Sequence, residues 1–360
     1  MIKVLHIDTG LVYRGGQRQV DLLIRNLTGF DIKQYLACPD DSPLADRSVV
    51  NIEKRTFISK NNLGRLFYRK KLRTFLHDND IGIVHAHDSH AHSLAFTLMG
   101  KDDRFRLIVT RRSSGRIGFG SKAKYLSGNI YYIAISEHIK EILIDGGVHR
   151  DRVVQIPSMI DLDKFAGIKK TGNLPKSNNK KYRIISAGVF DRGKGIFDLI
   201  KAVQNLSQKR VDFDYYAYGD GPEMKKISKY IIENKLDNVI KLPGWHGEPA
   251  EYLKDADLFV SPSHSEGLNT SILEAMASGV PVVASSLEPH RENIRHGHSG
   301  LLFPPGDIQE MANQIDTLLD DPELAEKITA NAGETVLKFD CSKIAGAIYE
   351  QYVKLMALDN

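Results

Sequence analysis

Short apolar runs alternate with glycine-containing turns and with stretches whose apolar residues recur at helical spacing. KVLHID is followed by TGLVYRGGQRQ and then by VDLLIRNL, so the opening unit reads as strand, loop and helix. The same order returns at YLACP, at IGIVHAHD before SHAHSLAFTL, at RLIVT and at YYIAISEHIKEIL, with VVQIPSMID as a last strand. Periodicity lapses in residues 167–181, where Lys, Asn, Gly and Pro crowd together, and restarts at YRIISAG and IFDLIKAVQNL. DFDYYAYGD, VIKLPGW, ADLFVSPS and VVAS continue as strands, and apolar-periodic helices close the chain. Alternation of strand and helix predicts an α/β fold with parallel sheets. The expected domains are residues 1–168 and 182–340, joined by a linker at 169–181, with a helix over 341–360 that packs back on the first domain.

Residues 263–285, SHSEGLNTSILEAMASGVPVVAS, combine loop, helix and strand in one run. Gly267 and Asn269 let the backbone approach a ligand, Thr270 or Ser271 can cap the helix, and Gly279 ends it. An exposed helix N-terminus attracts an anion, whereas Glu266 and Glu274 need a neutral, hydroxyl-rich neighbour. A ligand with phosphate and sugar hydroxyls meets both demands. Taken alone, the two glutamates read more readily as solvated residues of a loop and a surface helix.

Composition narrows the setting. The 360 residues suffice for two cored domains. Cys38 and Cys341 are far apart and lack metal-ligand spacing, which points to a reducing compartment. MIKVLHIDTG lacks the pattern of a signal peptide, and no window reaches membrane-spanning length, so a cytoplasmic location is expected. Residues 1–165 carry 26 Lys and Arg against 18 Asp and Glu, while the remainder is net negative. The first half therefore suits an acidic partner.

Other candidates are weaker. Gly15 and Gly16 could bring N–H groups against a phosphate or only make a turn. Residues 63–76 interleave apolar and basic side chains, as a helix on an anionic membrane or an ordinary surface helix would. The turn carrying His85, His87, Asp88, His90 and His92 suits polar substrate contacts; for a metal, a third ligand is not evident. Arg111 and Arg112 offer forks for phosphate or carboxylate. Gly188 to Lys194 fits the start of a nucleotide-triphosphate loop, but Gly195 replaces the required Ser or Thr. What survives is a pair of cations, Arg192 and Lys194, in a glycine loop before a helix. Asp212 with Asp214 and Asp255 with Asp257 receive no metal role.

The ordered set AGVFDRGKG, YGDGPE, LPGW, SPSHSEGLNTSILEAMASGVPVVAS and HSGLLFPPGD, with RGGQ, VHAH, AISEHIKEIL and QIPSMID before it, resembles the family-4 retaining glycosyltransferases. The resemblance implies the GT-B architecture: two Rossmann-like domains with parallel sheets facing across a cleft, and the donor between them. It implies that Glu266 contacts donor sugar hydroxyls and Glu274 the ribose. Gly267, Leu268 and Asn269 would face the sugar, Thr270 and Ser271 the phosphates, and Gly244 the nucleobase. Lys194 would neutralise the pyrophosphate and Gly16 would reach it from the first domain. Three positions depart from the family pattern. Val189 stands for a common Arg, which Arg192 would replace; Arg111 and Arg112 stand for a frequent His, with His87 and Asp88 as alternatives; and Met159 stands for a common Gly.

The expected activity is transfer of a sugar from a nucleotide-diphosphate donor, a UDP-sugar, to an acceptor hydroxyl with retained configuration. Lys194, Arg192, Glu266 and His87 are the catalytic candidates; Asp88, Arg111 and Arg112 are the acceptor-binding ones. No cofactor or metal is required. The acceptor is a glycan or glycolipid, phosphorylated in view of the basic first half, as in lipopolysaccharide or polysaccharide synthesis. Peripheral contact with the inner face of an anionic membrane is expected, and nucleic acid is not. An epimerase or phosphorylase of the same fold, or a non-catalytic nucleotide-sugar-binding protein, is the alternative.

Overall fold

A computed structural model describes residues 1–47, 52–58, 62–99, 105–127, 130–166 and 182–359. The linker read at 169–181 lies outside the described residues. The chain forms two compact units, Met1–Met159 with Phe339–Asn360, and Ile160–Lys338.

The first unit holds β1 (Ile2–Ile7), β2 (Ile32–Cys38), β3 (Lys54–Phe57), β4 (Ile83–Ala86), β5 (Arg106–Arg111), β6 (Ile130–Ala134) and β7 (Val153–Gln155). They pair in parallel in the order β3-β2-β1-β4-β5-β6-β7. Strands covered on both faces need near-continuous apolar runs, and IVHA of β4 is buried throughout. One face packs Val4, Ile83, Ile108 and Ile133 against Leu23 of the helix Gly15–Asn26 and Leu27 at its C-cap. Ile344, Ile348 and Tyr352 of the helix Cys341–Met356 complete that layer. Leu72, Phe75 and Leu76 of the basic helix Asn62–Asp78 are buried, and Phe75 meets the Tyr35 ring edge-on at 6.0 Å. These apolar side chains thus pack inside the first unit, and Lys70, Lys71 and Arg73 stay exposed.

The second unit holds β8 (Tyr182–Val189), β9 (Phe213–Asp220), β10 (Ile240–Gly244), β11 (Leu258–Ser261), β12 (Val282–Ser285) and β13 (Leu301–Phe303). Their order is β10-β9-β8-β11-β12-β13, again all parallel. The helices Ile196–Ser207 and Ile308–Asp320 bury Leu199, Val203, Met311 and Ile315 against Ile184, Phe213 and Leu258.

In each sheet the strand order reverses direction at one place, between β1 and β4 and between β8 and β11. Loops leaving such a pair at their carboxyl ends diverge and open a crevice, the usual ligand position in an open α/β sheet. His6, Asp8, His87 and Asp88 lie at the first of these points. Lys194 and Glu266 lie at the second.

Candidate functional site

In the second unit, the loop after β8 is shaped by one carboxylate and one glycine. The Asp191 side chain accepts the Lys194 backbone N–H at 3.0 Å and closes the turn Arg192–Lys194. Gly195 follows with φ of +64°, where a Cβ would lie 2.1 Å from the Pro262 carbonyl oxygen. The Ser or Thr of a magnesium-holding phosphate loop has no room there. The Gly193 carbonyl accepts the N–H groups of His264 and Ser265 at 2.8 and 3.2 Å, which ties this loop to the one after β11.

That tie sets Lys194 against Glu266. The ammonium lies 2.7 and 2.8 Å from the two carboxylate oxygens. Glu266 Oε1 also accepts from Ser263 Oγ at 2.7 Å and from Asn269 Nδ2 at 3.0 Å. Glu266 and Glu274 are only 7% and 4% exposed, so neither is a solvated surface glutamate. Thr270 and Ser271 do not cap the helix; the N-cap is Asn269, in the left-handed region at φ +64°, and its side chain makes no cap bond. It turns instead to Glu266 and Ser261. The helix Thr270–Ala277 therefore begins without a side-chain cap, beside a lysine.

His290 escaped the sequence reading. Its Nδ1 bonds the Ser285 carbonyl oxygen at 2.7 Å, Ser285 Oγ donates to the Ser263 carbonyl at 2.6 Å, and Ser263 holds Glu266. A carbonyl only accepts, so Nδ1 carries the proton and Nε2, buried without a partner, is bare. Burial holds the imidazole below its ordinary pKa, with Glu266 and Lys194 acting on it in opposite senses. LEPHREN carries no recognisable motif, which is why the residue was not legible.

In the first unit, β1 and β4 bring His6, His85 and His87 together, with ring nitrogens within 4.8 Å of one another. This corrects the view that no third nitrogen accompanies His85 and His87. His6 and His85 are cross-strand partners, and His87 lies two residues beyond His85. His85 bonds Tyr352 Oη at 2.6 Å and Thr110 Oγ1 at 2.7 Å. His6 bonds His87 Nε2 at 3.0 Å and Gln34 Oε1 at 3.2 Å. Burial keeps all three neutral, with His6 lowered to about 4 and the others well below their ordinary value. Asp8, also buried, is pushed up by burial and then by Asp88.

Two models cover most of the chain. One described as Glycosyltransferase Family 4 matches residues 13–164, and one described as Glycosyl transferases group 1 matches residues 170–335. The chain belongs to the family-4 glycosyltransferases of the GT-B fold. Among relatives, a phosphatidyl-myo-inositol mannosyltransferase of Mycobacterium leprae is 25% identical over 78% of this family-4 chain and 76% of its own. A 2-deoxystreptamine N-acetyl-D-glucosaminyltransferase of Niallia circulans is 27% identical over 49% of this chain, and the match spans 45% of that enzyme's length. Anabaena HepE, crystallised with UDP and glucose, superposes with a TM-score of 0.85 at 20% identity, covering 98% of this chain and all of that one.

Within this family-4 chain the expected site residues have unequal standing. Gly267 and Leu268 lie with Glu266 and Asn269 in the loop after β11, and Gly244, φ +86°, ends β10 beside a half-exposed Trp245. Arg192 is exposed and lines a hollow with Asp191, Gly193, Pro222, Glu223 and Lys226; it makes no described bond to Glu266. Gly16 is not in the preceding turn but in the first turn of the helix Gly15–Asn26, where a Cβ would meet nothing within 4 Å. Asp88 has its capacity used: it accepts from Thr9 N and Oγ1 at 2.6 and 2.8 Å and from the N–H groups of His90 and Ala91, both 2.8 Å. It caps the helix Ser89–Leu98 and ties it to the loop after β1. Arg111 is turned inward, donating to Tyr125 Oη and the Gly115 carbonyl. Its fork braces its own loop and is not offered to an acceptor. Arg112 donates to Ser158 Oγ at 3.3 Å and leaves Nε buried without a partner.

Proposed function

We propose that this chain transfers a glycosyl unit from a nucleotide-diphosphate sugar, a UDP-sugar, to an acceptor hydroxyl with retention of configuration. The observation that supports this most is the Lys194–Glu266 pair at the β8/β11 switch point, 2.7 Å apart and next to an uncapped helix N-terminus.

Departure of a nucleoside diphosphate builds negative charge on the leaving oxygen. Lys194, Arg192 and the N–H groups of Thr270 and Ser271 are the groups proposed to stabilise it. Glu274 takes the ribose hydroxyls and Gly244 lies by the base. Glu266 is a poor nucleophile, since Oε1 already accepts three hydrogen bonds. It keeps capacity on Oε2 for a sugar hydroxyl, so its role is positioning, and the leaving phosphate takes the acceptor's proton. With cations and N–H groups carrying the charge, no divalent metal is needed. The basic first half supports a phosphorylated glycan or glycolipid acceptor.

The test is a panel of nucleotide sugars screened for thermal protection, followed by nucleotide release with and without glycan acceptors. Release that depends on acceptor and gives an α-configured product from an α-configured donor is expected. Conversion of nucleotide sugar without acceptor would assign an epimerase or phosphorylase, and protection without turnover a binding protein.

A further inference from the structure

His87 Nδ1 is buried and has no hydrogen-bond partner among the described residues, although it sits where ligands are held in sheets of this kind. An unmatched buried polar atom costs about 1–3 kcal/mol, so such atoms are normally matched. Whether this nitrogen is a donor or an acceptor is set three residues away.

The Ile24 carbonyl can only accept, and it lies 2.8 Å from Gln34 Nε2. That contact fixes the amide, so Gln34 Oε1 is the end that faces His6 Nε2 at 3.2 Å. An amide oxygen also only accepts, so His6 carries its proton on Nε2. A neutral imidazole has one N–H, and His6 Nδ1 is therefore bare. Its partner at 3.0 Å, His87 Nε2, must then donate. The single proton of His87 is thereby placed on Nε2, and Nδ1 is left as a lone pair. Burial keeps the rings neutral, as this alternation requires.

The chemistry of the missing partner follows. A bare nitrogen needs an O–H or N–H donor, which excludes phosphate and carboxylate oxygens. Arg112, whose charge acts on His87, leaves its own Nε–H buried without an acceptor. A sugar hydroxyl can donate to the first and accept from the second. We propose that Gln34 and His6 are positioning residues that hold His87 in the Nε2–H tautomer, so that its Nδ1 accepts a hydroxyl of a bound sugar. Only the identity of that hydroxyl rests on the glycosyl-transfer reading.

Long-range ¹H–¹⁵N correlation spectra of the full chain with labelled histidine test this, with His87 assigned by comparison with His87→Gln. In the wild type, Nε2 is expected in the protonated range and Nδ1 in the unprotonated range; the opposite pattern overturns the relay. His6→Phe should mix the two tautomers of His87 and lower kcat/KM about tenfold, the equivalent of one hydrogen bond. His6→Asn, whose Oδ1 is as many bonds from Cα as Nδ1, should restore both. The wild-type spectrum decides the tautomer even where His6→Phe does not fold. UDP-glucose, UDP and methyl α-glucoside are then added separately. A shift of Nδ1 with UDP-glucose but not UDP assigns a donor hydroxyl, and a shift with the glucoside an acceptor hydroxyl. Binding of a sugar, seen as thermal protection, without movement of Nδ1 leaves only an ordered water there and overturns the assignment. If no nucleotide sugar in the wider panel protects, the transferase reading fails while the tautomer result stands. Cobalt(II) bands that vanish in His6→Phe would make the cluster a metal centre, because a metal displaces the shared proton.

Discussion

Lys194 Nζ and the carboxylate of Glu266, 72 residues apart in sequence, meet at 2.7 and 2.8 Å where two loops leave neighbouring strands of the second sheet. Neither group has the right surroundings without the other: the carboxylate is buried, and the ammonium is held in place by it.

Lys194→Met should lower kcat about a hundredfold or more, because a charge aimed at the leaving group is lost. It should also cost about 1–3 kcal/mol of stability, less than a fully buried pair because Lys194 is 31% exposed. Adding Glu266→Gln should recover most of the stability and none of the activity. Urea unfolding of the single and double variants, beside initial rates, separates the two effects. Recovery of both would sink the catalytic role of the lysine.

Gly195→Ala should be among the most damaging changes in the second unit. The left-handed backbone alone costs a side chain roughly 1–3 kcal/mol, and the Cβ would overlap the Pro262 carbonyl oxygen. A lowered melting temperature with weakened nucleotide-sugar protection is expected. An unchanged melting temperature would show that this loop is not held as described.

Acid should weaken the first unit. His6, lowered to about 4, His85 and His87, lowered well below their ordinary value, and His92, lowered to about 3, are neutral when folded but protonate near 6.5 when unfolded. Between those values the unfolded chain binds more protons, so stability falls as pH falls from about 6.5 towards 4. His6 alone contributes about 3 kcal/mol to the total loss. Urea titrations at several pH values check it, and His6→Asn should flatten the dependence.

Asp88→Ala should cost about 1–2 kcal/mol through loss of the N-cap alone, with more from the broken link to Thr9. A change confined to acceptor KM at unaltered stability would restore Asp88 to a substrate-binding role.

In the second unit, the loops that bring Lys194 to Glu266 could be placed from the sequence. Glu266 and Glu274 share one run of sequence, and the lysine loop has a recognisable glycine pattern, so their positions on loop and helix were legible. The first unit's cluster was not, because His6 lies 81 residues from His87 and becomes its neighbour only through strand pairing. Arg111 and Asp88 were legible as polar, but the contacts they make inside the first unit were not. Their forks and lone pairs are taken up by backbone groups and a tyrosine, partners that leave no periodic trace. The strand–helix alternation, in contrast, is a local property and marked both sheets.

The helix Cys341–Met356 has a bearing on the order of events during synthesis. It supplies Ile344, Ile348, Tyr352 and Leu355 to the layer that covers β1, β4, β5 and β6, and Tyr352 to His85. The second unit is continuous in sequence and can close its core as it leaves the ribosome. The first unit, although made first, must wait with an uncovered apolar face until residue 355 is made. Of the two units, the one whose sheet is made earlier is thus the one whose core closes later.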